Sequence, residues 1–511
     1  HEPRGTRICI QTGEVLQKGN FYRDNLRGAK SEYVYISDGK PHVLSPKFTY
    51  YGYRYAKVTG VHQLTLDSFV GVAYYSDVHP VSTMVTGDEK LNQLLSNIRW
   101  GQKSNFVDVP TDCPQRDERM GWTGDTQVFA ATACYLTDAC AFYEKYLYDM
   151  QKEQNKRGGC VPDTIPAFYM RGGCCVWGDA ATILPWTLYL FYGDVNILRT
   201  ALPSMRAWVD YIAAVDGDTH HWRKVFHFGD WLALDHPSGR ADEVRGGTDE
   251  GFIADAYYYN SARLVAKAAA VLGDAATEAA YQKRAERILS DLQQEYFTPT
   301  GRCAVDTQTA QILTLYFGLT NQPEKAHQEL MRLLHLRGDK LSTGFVGTPL
   351  LCRVLSQVGE DKMAYHLLHN EEYPGWLYEV NLGATTIWER WNSLSPDGSV
   401  SSTGMNSFNH YAYGAIGEWM WRTMAGINPC EEQPGFKRVV LRPVSDAAVK
   451  HVTAAYHSPA GCYRVSWRME EAGICRFHIE IPFDCTADLM LPGQKPMELE
   501  CGKYDFACAV G

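Results

Sequence analysis

A chain of 511 residues and 57.5 kDa is too long for one small domain and long enough for a deep core with accessory modules. Its 45% apolar and 21% charged residues are ordinary globular composition and argue against wholesale disorder. A net charge of -10 with no basic cluster argues against a nucleic-acid partner, and no apolar run approaches a membrane span.

Residues 1–83 read as β-structure. Arg7 to Gln11, Glu32 to Ile36 and Tyr53 to Val58 are rich in β-branched and aromatic residues, with Gly, Asp and Pro between them. The chain opens at His1-Glu2-Pro3 without a Met. This β-domain is therefore expected to be partial, and export stays open.

From 84 to 425 the texture changes to long amphipathic segments: Leu91–Lys103, Thr126–Gln154, Ala180–Phe191, Val195–Val215, Glu250–Leu272, Ala275–Tyr296, Thr307–Leu319, Pro323–Leu336 and Asn409–Met424. Apolar residues recur every three or four positions, and Gly or Asp usually marks the ends. With shorter candidates at 348–358 and 360–369, about a dozen helices fit six antiparallel pairs closing into a toroid. An irregular solenoid fits less well, because no regular repeat is visible. Residues 426–511 return to β-structure, as expected of a small antiparallel sandwich. The fold class is thus multidomain and mainly α, with a helical toroid between two β-domains.

The 15 Cys are odd in number and scattered, with an adjacent pair at Cys174-Cys175 and no CxxC. They read as buried thiols of a cytoplasmic chain, without a disulfide framework or a metal site. The 31 Tyr and 13 Trp suit a sugar, whose ring faces stack on aromatics, although a helical core also consumes them. Motifs for nucleotide binding, zinc proteolysis and serine hydrolysis are absent, and no cofactor is expected.

One loop stands apart, from Asp108 to Asp125. It carries five carboxylates, two Arg and a Trp in eighteen residues, interleaved with Pro, Gly and Cys. A solvated charged loop is the bland reading, but this interleaving suggests a rigid, partly buried one. Its string Asp112-Cys113-Pro114-Gln115-Arg116-Asp117-Glu118-Arg119-Met120-Gly121-Trp122-Thr123-Gly124-Asp125 resembles the signature of the α-L-rhamnosidases of glycoside hydrolase family 78. Trp177-Gly178-Asp179, Gly229 to Leu232, Thr385 to Trp391 and Asn406 to Tyr411 extend the resemblance in the same order along the chain. It implies an (α/α)6 barrel flanked by an N-terminal β-domain and a C-terminal antiparallel β-sandwich. The implied activity is inverting hydrolysis of terminal α-L-rhamnose, as found on flavonoid glycosides and plant oligosaccharides.

Glycosidic hydrolysis needs an acid for the departing oxygen and a base for water, or a carboxylate nucleophile. The resemblance places the general acid at Glu118, which has to hold a proton near neutrality. Asp112, Asp117 and Asp125 favour that by repulsion, while Arg116 and Arg119 oppose it. The general base falls at Glu389, between Trp388 and Trp391, and an inverting pair should stand about 6.5–9.5 Å apart. Asp112 and Asp125 would hold sugar hydroxyls, with Arg116 as a further polar contact. Asp125 also suits a helix N-cap. Trp122, Trp177 and Trp231 resemble the family's pocket aromatics. Asp179 and Asp230 either bind hydroxyls or cap turns, and His410 matches a sugar-contacting histidine. His220, His221 and His227 lack paired ligand spacing and read as loop residues.

Competing readings are another glycosidase on the same barrel, such as an α-fucosidase or a glucoamylase-like enzyme, a phosphorylase relative, and an inactive carbohydrate-binding protein. A homodimer is compatible with the sequence.

Overall fold

The computed structural model of the protein describes residues 1–168, 172–217, 219–240, 243–401 and 404–510. A three-stranded antiparallel sheet comes first, with Arg7–Gly13 between Glu32–Ile36 and Tyr55–Thr59. The short hairpin of Val15–Gln17 with Asn20–Tyr22 packs Val15 and Tyr22 into a small core with Ala384, Trp388, Val400 and Phe408. The N-terminal domain therefore rests on the segment that carries Glu389.

The helices are α1 (Glu89–Asn105), α2 (Thr123–Leu136), α3 (Cys140–Asn155), α4 (Ala180–Tyr192), α5 (Val195–Asp216), α6 (Glu250–Leu272), α7 (Ala275–Tyr296), α8 (Gln308–Phe317), α9 (Pro323–Leu336), α10 (Thr348–Gln357), α11 (Asp361–His369) and α12 (Trp376–Asn381). Helices α2, α4, α6, α8 and α10 contact one another in succession, and the helical turns 412–424 close the ring between α10 and α2. The inner helices are apolar on nearly every face; α4, for example, buries Ala180, Ala181, Leu184, Trp186 and Leu188. Outer helices bury one stripe, as α7 does with Tyr281, Ala285, Ile288 and Leu292. The result is the six-hairpin barrel that the helix count implied.

Two segments differ from the sequence expectation. The run 126–154 is two helices, because Thr137 turns extended and bridges Pro80, while the Asp138 N–H bonds to His79 O at 2.8 Å. The backbone groups a continuous helix would use are taken by the incoming chain. The run 409–424 becomes helical only at Ala412, since the His410 N–H is committed to Ile387 O at 2.9 Å.

The C-terminal domain packs a five-stranded antiparallel sheet against a four-stranded one. The second is mixed rather than purely antiparallel: Arg438–Leu441 pairs in parallel with Thr486–Leu489, the intervening strands providing the crossover. Ser82–Thr86, just before the barrel, is an edge strand of the five-stranded sheet, paired with His451–Ser458. Barrel and sandwich share one core, in which Tyr135 stacks on Trp421 at 5.8 Å and donates its hydroxyl to Ile427 O at 2.7 Å. All 15 cysteines are unpaired. Among the described residues no helix is long and apolar enough to cross a membrane.

Candidate active site

A cavity of about 560 Å³ opens at one end of the barrel, lined among others by Asp112, Glu118, Trp122, Asp125, Trp177, Phe228, Trp231, Phe345, Glu389 and His410. Several of these residues stand within three positions of the start of inner helices: Trp122 before α2, Trp177 before α4, Phe345 before α10 and His410 before the closing turns. Helix N-termini thus gather round the cavity, and their partial positive charge suits oxygen-rich ligands and carboxylates.

The loop 108–125 is rigid because it closes on itself. The Asp112 N–H bonds to Met120 O at 3.0 Å, and the Met120 N–H returns to Asp112 Oδ1 at 2.9 Å. Thr111 to Arg116 are buried throughout. Gly124 has a specific role: a Cβ there would come within 2.5 Å of the Trp177 ring. Only glycine lets Trp177 lie flat against the start of α2. Phe228 then joins the aromatics into one wall, 4.5 Å from Trp177 and edge-on to Trp122 and Trp231 at 5.9 and 5.5 Å.

Glu389 is braced by its own segment, with its N–H on Ser407 O at 2.9 Å and its Oε2 accepting the Ser407 N–H at 2.8 Å. Gln115 reaches the Ser407 hydroxyl at 2.8 Å, tying the acidic loop to this segment. Arg116, 1% exposed, forms a bidentate pair with Glu389 at 2.6 and 3.0 Å. Its Nη2 also contacts Glu118 Oε2 at 2.7 Å and Asp112 Oδ2 at 3.7 Å. Arg116 does not face the cavity as the expected sugar contact. It lies behind the carboxylates and serves as their shared counter-charge. One guanidinium nitrogen touches both Glu118 and Glu389, so their nearest oxygens lie no farther apart than those two contacts end to end.

Burial pushes the Glu389 carboxyl up, but Arg116, with His410 and the Ser407 N–H, outweighs it and holds the group at about 2. Glu389 is therefore ionised at any ordinary pH. Asp112 is pushed up to about 7 by burial and by the charge of Glu118, against the pull of Arg116. Asp125 goes well above the usual carboxylate range through burial and the neighbouring Asp112. Burial lowers His410 to about 4. Asp125 and His410, 3.2 Å apart, accordingly meet as neutral groups out of hydrogen-bond alignment.

Asp112 Oδ2, Trp122 Nε1, Asp125 Oδ1, Trp177 Nε1 and His410 Nδ1 are all buried without a hydrogen-bond partner. Buried polar atoms are nearly always satisfied, yet these five belong to residues lining one cavity. Donors and acceptors set around an aromatic wall match a ring bearing several hydroxyls.

Of the residues named from sequence, Glu118, Glu389, Asp112, Trp122, Asp125, Trp177, Trp231 and His410 meet at this cavity. Asp125 is not an N-cap, because α2 starts at Thr123 and places it in the first turn. Asp179 and Asp230 are spent on the scaffold. Asp179 accepts from the Val176 N–H, Trp208 Nε1 and Ser261 at 2.7, 2.9 and 2.5 Å. Asp230 accepts from Thr309 and from the Gly344 and Val346 N–H groups at 2.5, 2.9 and 2.8 Å. Four non-glycine residues with positive φ, Arg27, Arg119, Val176 and Leu232, line the cavity or adjoin lining residues in the chain. Each costs ~1–3 kcal/mol.

Phe228 and Phe345 have weak sequence signals, being aromatics beside turn residues. Arg27, Glu14 and Asn25 have none, because they come from the N-terminal domain. Asn25 Nδ2 donates to Glu14 Oε2 at 2.7 Å and to Asn406 O at 3.3 Å. The Phe408 N–H also donates to Glu14 Oε2, at 3.4 Å. These contacts brace the segment that holds Glu389. Burial pushes the Glu14 carboxyl up to about 8, against the Phe408 N–H and Arg116. The folded state therefore keeps a proton that the unfolded chain releases near pH 4.5, and stability falls as pH rises from there toward 8. Glu14→Gln should flatten this slope, by about 3–5 kcal/mol across the window. Denaturant unfolding of both proteins at several pH values checks it, and equal slopes refute it.

Comparison with known proteins agrees with this architecture. Residues 79–424 match the bacterial alpha-L-rhamnosidase 6 hairpin glycosidase domain, residues 426–504 the C-terminal domain and residues 1–75 the concanavalin-like domain of the same proteins. An alpha-L-rhamnosidase of Formosa agariphila is 37% identical over 98% of this chain and 54% of its own length. One of Streptomyces avermitilis is 38% identical over 96% of this chain and 47% of its own. The chain thus spans about half the length of the curated relatives it matches. Among solved structures, the Streptomyces avermitilis alpha-L-rhamnosidase complexed with L-rhamnose aligns with a TM-score of 0.92 at 36% identity, over 99% of this chain and 50% of that one. The Aspergillus terreus enzyme aligns with 0.94 at 31% identity, over 99% and 59%. Signature loop, barrel and both flanking β-domains therefore agree, and the chain belongs to the family of bacterial α-L-rhamnosidases.

Proposed function

We propose that this chain hydrolyses terminal non-reducing α-L-rhamnose from rhamnosides with inversion, Glu118 acting as general acid and Glu389 as general base. The observation that carries the reading is the set of five buried polar atoms without a hydrogen bond on Asp112, Trp122, Asp125, Trp177 and His410 around one aromatic-walled cavity. Sugar hydroxyls would satisfy them, while Phe228, Trp231 and Phe345 offer an apolar surface to the ring and its C6 methyl. The family's named relatives support rhamnose over fucose or glucose. Fifteen unpaired thiols fit a reducing compartment, so the cytoplasm is the proposed location.

In the proposed step Glu118 gives its proton to the glycosidic oxygen as the C1–O bond breaks. Water adds to the opposite face of C1 and loses a proton to Glu389. Glu389, held ionised by Arg116, is ready as the acceptor. Inversion needs room for a water between the two groups. Glu118 is 13% exposed against 2% for Glu389, so it is the carboxyl more open to the leaving group. Proton NMR of the first product from an α-rhamnoside should show β-rhamnose. Initial α-rhamnose would mean retention, and rhamnose 1-phosphate formed only with added phosphate would mean a phosphorylase. Flavonoid and oligosaccharide rhamnosides, compared by rate, identify the preferred leaving group.

A further inference from the structure

Arg27 belongs to the N-terminal domain, yet its side chain ends at the proposed acid. It follows the single 3-10 turn Asp24–Leu26 with φ 54° and ψ -120°, a conformation that glycine takes freely and a residue with a Cβ does not. The turn itself needs no guanidinium, because it closes through backbone bonds from the Arg27 N–H to Asp24 O and from the Ala29 N–H to Leu26 O, both at 3.1 Å. The side chain instead crosses to the signature loop. Nε donates to Asp117 Oδ1 at 2.6 Å, and Nη2 donates to Glu118 Oε2 at 2.9 Å. The Gly28 N–H completes the grip on Asp117 through Oδ2 at 3.2 Å.

Arg116 Nη2 holds the same Glu118 oxygen at 2.7 Å from the buried side. Oε2 is thus clamped between two guanidinium groups from different domains, which leaves Oε1 as the oxygen that neither arginine holds. Arg27 and Asp117 also line the cavity, beside the carboxyl from which the leaving group must take its proton. A strained arginine held at this point by two carboxylates has a geometric purpose. We propose that Arg27 is a positioning residue for acid catalysis: it fixes Glu118 so that Oε1 meets the glycosidic oxygen of substrates that cannot leave unprotonated. The inference rests on Glu118 being the acid.

The test compares Arg27→Gly, Arg27→Lys and Glu118→Gln on two classes of α-rhamnoside. Nitrophenyl rhamnosides release a stable phenolate and need little protonation, whereas methyl or sugar-linked rhamnosides release an alcohol and need it fully. Arg27→Gly should lower kcat on alcohol-linked substrates about 10–100-fold and on nitrophenyl substrates less than about 3-fold. Its Tm should hold or rise, because backbone strain is relieved while only partly exposed ion pairs are lost. Arg27→Lys should recover part of the difference between the substrate classes. Equal losses on both classes, or no loss on either, overturn the positioning role. If Glu118→Gln discriminates between the classes and Arg27→Gly does not, only the role of Arg27 falls. If Glu118→Gln itself fails to discriminate, the acid assignment falls and takes this inference with it.

Discussion

Glu118→Gln is expected to lower kcat on alcohol-linked α-rhamnosides by about 10²–10⁴-fold, the usual contribution of a positioned general acid, while KM changes little. The amide keeps the length of the side chain, and its carbonyl can still accept from Arg116 and Arg27, so the cavity should hold its shape. It has no acidic proton to give. Because Glu118 is partly exposed rather than fully buried, stability should change by no more than about 1 kcal/mol. Steady-state kinetics with a thermal melt check both points. Near-normal turnover on a methyl rhamnoside would remove Glu118 from the acid's place.

Arg116→Met should damage activity and stability together. Arg116 is the charge that Glu389, Glu118 and Asp112 share, and breaking a buried pair by removing one partner costs about 3–5 kcal/mol. In the parent protein Glu389 sits at about 2, below its ordinary value near 4.5. Its stabilisation is therefore present above the unfolded value and lost as pH falls toward 2. Without Arg116 the largest opposing charge is gone and burial raises the carboxyl, so the sign reverses and the variant should lose stability as pH rises above the ordinary carboxylate range. Arg116→Met/Glu389→Gln should regain most of the lost Tm at pH 7 and none of the turnover. Should the double variant melt as low as the single one, the cost would lie in packing and not in an unpaired carboxylate. Normal turnover in the double variant would exclude Glu389 as the base.

How much of this was legible beforehand varies from element to element. Helices α6, α7 and α9 follow the sequence pattern to the residue because their apolar stripes and their Asp, Pro and Gly ends are local signals. The interruption at Thr137 and the late start at Ala412 were not local. Each arises where backbone groups are taken by a distant segment, at His79 and Ile387.

The amino-acid sequence by itself determined the β-α-β order, the six-hairpin pattern and the identity of eight cavity residues, Glu118 and Glu389 among them, because periodicity and the signature loop are carried by neighbours in the chain. Only the tertiary structure decided which polar groups reach the cavity. It turned Arg116 into a counter-charge behind two carboxylates, and it spent Asp179 and Asp230 on backbone and scaffold donors. It also brought Glu14, Asn25 and Arg27 from the N-terminal domain against residues of the signature loop and of the segment 406–408. Electrostatic roles depend on distance and burial in three dimensions, and neither is encoded in the spacing of residues along the chain.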